Sequence, residues 1–110
     1  MKLKPSAWPI PASKVRHNTE RHRFEIAEDG LLAVADYDPV EGAWVFGHTE
    51  TPCQWQGGGV AGALVKAGLD AAREAGVKVI PTCSYVATYM KRHRETHDLV
   101  HPRYRAALGL

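Results

Sequence analysis

Three consecutive glycines, Gly57, Gly58 and Gly59, divide this chain into two stretches whose hydrophobic residues repeat with different periods. From Val15 to Thr49 the repeat is that of strands. Phe24 and Ile26 alternate with Arg23 and Glu25, and Asp29-Gly30 is a hairpin-turn signal. Leu31 to Tyr37 is a mostly apolar strand, which a turn from Asp38-Pro39 through Gly42 is expected to close. Ala43 to Glu50 follows, and period two places Trp44, Phe46, His48 and Glu50 on one face. Short loops between such runs predict an antiparallel meander.

Beyond the glycines the period becomes helical. Gly59 to Ala75 sets Val60, Leu64, Gly68, Ala71 and Ala75 along one stripe, with Lys66, Asp70, Arg73 and Glu74 polar and Gly76 as C-terminal cap. Small residues, Ala61, Gly68, Ala71 and Ala72, suit a helix pressed closely on a sheet. Val77 to Ile80 is a short strand, so the order strand, helix, strand is a βαβ crossover with its two strands parallel. Ser84 to His93 reads as a second helix with Val86, Tyr89 and Met90 on one side, and Pro102 opens a short final one. The expected class is α+β: a mostly antiparallel sheet, one crossover, two to three helices.

Residues 1–13 hold Pro5, Pro9 and Pro11 and read as an irregular arm that includes Trp8, leaving 14–110 as a single domain. A net charge of +2 without a long basic block gives no support to a nucleic-acid partner. The first ten residues carry prolines where an export signal needs an apolar run, and no run approaches the roughly 20 apolar residues of a membrane span. A reducing cytoplasm is the expected setting, with Cys53 and Cys83 as free thiols.

The segment Gln56-Gly57-Gly58-Gly59-Val60-Ala61 joins strand to helix. Glycines let the backbone approach a ligand, and the first turn of a helix offers unpaired N–H groups at the positive end of its dipole. A pyrophosphate fits such a place. Gly57, Gly59 and Gly62 satisfy the dinucleotide fingerprint G-x-G-x-x-G. That reading needs a turn directly off the strand and an acid at the end of the next one. Thr51 to Gln56 intervene, and the next strand runs into Pro81-Thr82-Cys83, so it fails twice. The other grammar, Q/R-x-x-G-x-G/A, is met by Gln56, Gly59 and Ala61.

That second grammar is the acetyl-CoA loop of the GNAT acyltransferases, and a chain of further residues resembles their short single-domain branch. These are His48-Thr49-Glu50, Pro52, Gly59-Val60-Ala61 and Leu64, then Pro81, Cys83, Val86, Tyr89, His93, Glu95 and Asp98-Leu99-Val100. The resemblance covers about residues 15–100 and departs at Thr51, where valine is usual, and at Ser84 and Arg94, where proline is frequent. It implies a GNAT fold with a splayed pair of parallel strands, acetyl-CoA lying in the splay, and an amine acceptor, small molecule or peptide. Thr49, Gln56, Gly57, Gly58, Gly59, Val60, Ala61 and Gly62 are the implied cofactor-binding residues. Pro81 has no N–H for a neighbouring strand, so the ladder should end there.

Cys83 follows the second parallel strand and opens a helix, where the acetyl thioester should emerge. Two roles stay open for it: a nucleophile that takes the acetyl group, or a small residue lining the channel. His48 and Glu50 are the candidate bases for the incoming amine, and a bulge near Gly47 decides which side chain faces the site. Tyr85 or Tyr89 is placed to protonate the leaving thiolate, or to pack. Metal binding is not expected: in His93-Arg94-Glu95-Thr96-His97 the acid is one place late for a zincin helix. The alternative to an N-acetyltransferase is a coenzyme A binding module with little activity.

Overall fold

The computed structural model describes residues 14–110, so the arm assigned to residues 1–13, Trp8 included, lies outside the described residues. Four strands form an antiparallel meander: β1 (Arg16–Asn18), β2 (Arg23–Glu28), β3 (Leu31–Val40) and β4 (Ala43–Glu50). A fifth, β5 (Lys78–Pro81), joins β4 in parallel and completes the order β1-β2-β3-β4-β5. Between β4 and β5 runs α1 (Val60–Ala75), and α2 (Ser84–Arg92) follows β5. This is the α+β class the periods predict. Short 3-10 turns fill Cys53–Trp55, Arg94–Leu99, Pro102–Tyr104 and Ala106–Leu108.

The hairpin between β2 and β3 turns on Asp29 and Gly30, both at positive φ (52° and 76°), the two-residue turn that matches strand twist. The next hairpin is tighter than the sequence suggests. β3 continues through Asp38 and Pro39 to Val40, and only Glu41 and Gly42 remain as the turn. Pro39 is tolerated because β2 pairs with β3 only as far as Asp36, so a missing N–H on that side interrupts no ladder.

One sheet face carries the core. Phe24, Ile26, Ala33, Ala35, Tyr37 and Phe46 pack with Leu64, Val65, Leu69 and Ala72 of α1 and with Val86 and Met90 of α2. Each fully buried Leu, Val or Phe contributes about 1.5–3 kcal/mol. The buried stripe of α1 is Val60, Leu64, Val65, Gly68, Leu69 and Ala72, broader than the predicted one; Ala71 is half-buried and Ala75 exposed. The stripe widens because α1 is held on two sides, by the sheet and by α2 with the Arg94–Leu99 turn. Gly68 sets the helix-to-sheet distance: a Cβ there would lie 2.7 Å from Phe46 Cε2. No helix among the described residues is long and apolar enough to cross a membrane.

Candidate active site

The pairing of β3 with β4 slips by one residue midway. Asp36 faces His48, yet Tyr37 faces Phe46, so Gly47 is an extra residue on β4. This bulge reverses the alternation, because one added residue moves every later side chain to the other face. Phe46 stays buried in the core, while His48 and Glu50 emerge exposed. The expectation that Trp44, Phe46, His48 and Glu50 share one face is therefore corrected. Thr49, opposite buried Ala35, takes the helix-side direction instead.

β4 and β5 pair only from Ala43–Lys78 to Phe46–Pro81. The ladder closes where the Cys83 N–H donates to the Phe46 carbonyl at 2.9 Å. Beyond that point Gly47 to Glu50 have no partner on β5, and the strands splay. Into the opening comes the N-terminus of α2, with Cys83 at its N-cap position, and Cys83 Sγ lies 3.8 Å from Thr49 Oγ1. Both cysteines are free thiols; Cys83 is half-buried, and Cys53 is exposed on the 3-10 turn after β4.

A cleft of about 530 Å³ opens from Thr49 toward the start of α1. Its walls are Thr49, Thr51 and Trp55 on one side and Gln56, Gly57, Gly59, Val60 and Ala61 on the other, with Tyr85 of α2 across it. Gly57 and Gly59 hold φ of 86° and 85°, a left-handed conformation that side chains resist. A Cβ on either would meet nothing within 4 Å, so conformation and open space, rather than crowding, require glycine there. Gly59 is the N-cap of α1; no side chain caps that helix and no acid stands in its first turn. Its leading N–H groups and positive dipole end are thus presented to the cleft. The Gln56 amide donates back to the Thr51 carbonyl at 3.2 Å, which ties the two ends of the loop together.

A family model described as GCN5-related N-acetyl-transferase matches residues 23–99, most of the described chain. The chain belongs to that family. Its similarity to individual members is moderate and broad. It is 33% identical to Protein NATD1 of Xenopus tropicalis over 88 residues, 77% of this chain and 81% of that protein. Against Protein NATD1 of Mus musculus it is 35% identical over 83 residues, 73% of this chain and 76% of the mouse protein. For Homo sapiens the figures are 35% over 83 residues, 73% and 74%.

Within this GCN5-related fold, the cleft gathers Thr49, Gln56, Gly57, Gly59, Val60 and Ala61 from the sequence-predicted set. Gly58 is half-buried outside its lining, and Gly62 lies where α1 meets α2, where a Cβ would stand 3.6 Å from the Tyr85 hydroxyl. Thr51 and Trp55 line the cleft without having been singled out for it; the signal was an aromatic residue between Pro52 and the glycines. His48 Nε2 and Glu50 Oε1 stand 3.3 Å apart, both side chains more than half exposed. They form a pair on the strand face opposite Thr49, so the geometry groups them with each other rather than with Cys83. Tyr89 stacks on His93 with ring centroids 3.8 Å apart, and burial raises its phenol above the ordinary range. His93 ends α2 and its Nδ1 meets the Tyr89 carbonyl at 2.7 Å, while His97 stands on a 3-10 turn. The two histidines do not share an α-helical face, contrary to the zincin comparison.

Proposed function

We propose that the chain is an N-acetyltransferase that binds acetyl-CoA in this cleft and passes the acetyl group to an amine. The observation that carries the reading is the uncapped start of α1, with two left-handed glycines, opening on a cleft that leads to Cys83. The pyrophosphate would lie against the N–H groups of Gly57 to Ala61, where an anion is favoured by the helix dipole. Pantetheine would run into the splay and bring the thioester to Cys83. Two free thiols fit the reducing cytoplasm proposed as its setting.

In the proposed route Cys83 Sγ attacks the acetyl carbonyl and its bond to the coenzyme A sulfur breaks. The thiol proton goes to the leaving sulfur, with the Tyr85 hydroxyl of the cleft wall as the candidate acid. An amine entering the cleft then attacks the Cys83 thioester; the Cys83 sulfur leaves, and the amine proton restores its thiol through water. In direct attack the base would be the His48–Glu50 pair, reached only through water because it stands on the opposite strand face. Intact mass after incubation with acetyl-CoA should show one added acetyl group, absent in Cys83→Ser. A fully active Cys83→Ala would end the covalent route, and Glu50→Gln would then be the damaging change.

One observation favours the second reading, a coenzyme A binding module with little turnover. The polar side-chain neighbour of Cys83 is the Thr49 hydroxyl, and no carboxylate or imidazole stands within hydrogen-bond reach of it among the described residues. Coenzyme A binding without adduct or transfer, across polyamines, amino acids and peptides, would establish that reading over the first.

A further inference from the structure

We infer that Thr49 sets the length of acyl chain the cleft admits, an inference that rests on the donor site proposed above. The wedge between β4 and β5 fills in steps from its apex outward. First comes the ladder itself, ending at Phe46–Pro81, with the Cys83 N–H on the Phe46 carbonyl. Thr82 comes next, its hydroxyl donating to the same carbonyl at 3.5 Å and lying 3.2 Å from where a Gly47 Cβ would stand. Then Thr49 Oγ1 and Cys83 Sγ meet at 3.8 Å.

Thr49 lines the open cleft, whereas Gly47, Thr82 and Cys83 do not. The open space therefore stops at the Thr49–Cys83 contact. An acyl carbon delivered to the Cys83 sulfur arrives with the Thr49 side chain already occupying the room beyond it. A two-carbon acyl group needs none of that room. Each further methylene does, and must displace the Thr49 side chain instead of gaining the roughly fourfold in affinity that burial would give.

The test titrates coenzyme A, acetyl-CoA and butyryl-CoA into the full chain carrying Cys83→Ser, so that no acyl group leaves for the thiol. It reads the ratio of butyryl to acetyl affinity. That parent should favour acetyl by at least tenfold. Adding Thr49→Ala should move the ratio at least fivefold toward butyryl, and Thr49→Ser should fall between. Thr49→Val, which keeps the branched volume and loses the hydroxyl, should hold the ratio within twofold. An unmoved ratio in Thr49→Ala overturns the inference, as does a Thr49→Val shift equal to that of Thr49→Ala. A parent that binds no coenzyme A overturns the donor site itself; one that binds it with an unmoved ratio overturns only the role of Thr49.

Discussion

Glu25 is only 6% exposed, and it keeps its charge there because three side chains converge on it. Arg16 Nη2 donates at 2.9 Å, Arg23 Nε at 2.7 Å and Asn18 Nδ2 at 3.3 Å. The Arg16 bond leads, and with Arg23 and Asn18 it outweighs the burial cost and brings the carboxyl pKa from 4.5 to about 2. A depressed folded value means stability that is present above pH 4.5 and lost as pH falls through 2. The shift alone corresponds to roughly 3 kcal/mol, but Arg16 is largely in solvent, so about 1–2 kcal/mol is expected. Denaturation of Glu25→Gln and the parent should differ by that much at pH 6, with the gap closing below pH 4. Period two put Arg23 on the same face as Glu25 but did not show Arg16 and Asn18, which belong to β1. A bulge near Gly47 was expected from the sequence, but not its outcome. A glycine has no side chain to disturb a hydrophobic pattern, so nothing there showed that Thr49, rather than His48 or Glu50, would face the helices.

At the scale of elements, α1 was legible nearly to the residue, since its period, its glycine N-cap and its Gly76 C-cap agree. What periodicity could not show is how closely it lies on the sheet. Gly68→Ala would gain about 1 kcal/mol of helix propensity. Against this, its Cβ would meet Phe46 Cε2 at 2.7 Å and Cζ at 3.0 Å, on a ring with 0% exposure and no room to retreat. Overpacking of this kind costs about 1–3 kcal/mol, so net destabilisation of up to about 2 kcal/mol is expected in urea unfolding. Gly62→Ala is the contrast: its nearest neighbour, the Tyr85 hydroxyl, stands at 3.6 Å, an ordinary contact. That variant should be as stable as the parent or more so. Equal losses at the two positions would show that helix-to-sheet packing does not distinguish them. The end of β3 was misplaced for a different reason. Asp38-Pro39 is a turn signal only where both strand edges are paired, and here one edge is free.

For the whole molecule, the meander, the crossover and the splay bring to one cleft a loop and a strand end that lie several residues apart in sequence. The glycine triplet, Pro81 and Cys83 were readable as parts, and family membership confirms the frame in which they sit. The separation of Glu50 from Cys83 was not readable, because the register of β3 on β4, which fixes the direction of the slip at Gly47, is a tertiary property. The central claim is that the start of α1 holds a coenzyme A pyrophosphate. Calorimetric titration of coenzyme A into the full chain and into Gly59→Val tests it most directly. Valine at φ 85° is strained, and its side chain projects into space that nothing else in the protein fills. The account predicts saturable binding by the parent and a loss of at least tenfold, about 1.4 kcal/mol, in a Gly59→Val protein with native near-UV circular dichroism. No binding by the parent, or equal affinity in the folded variant, would contradict it.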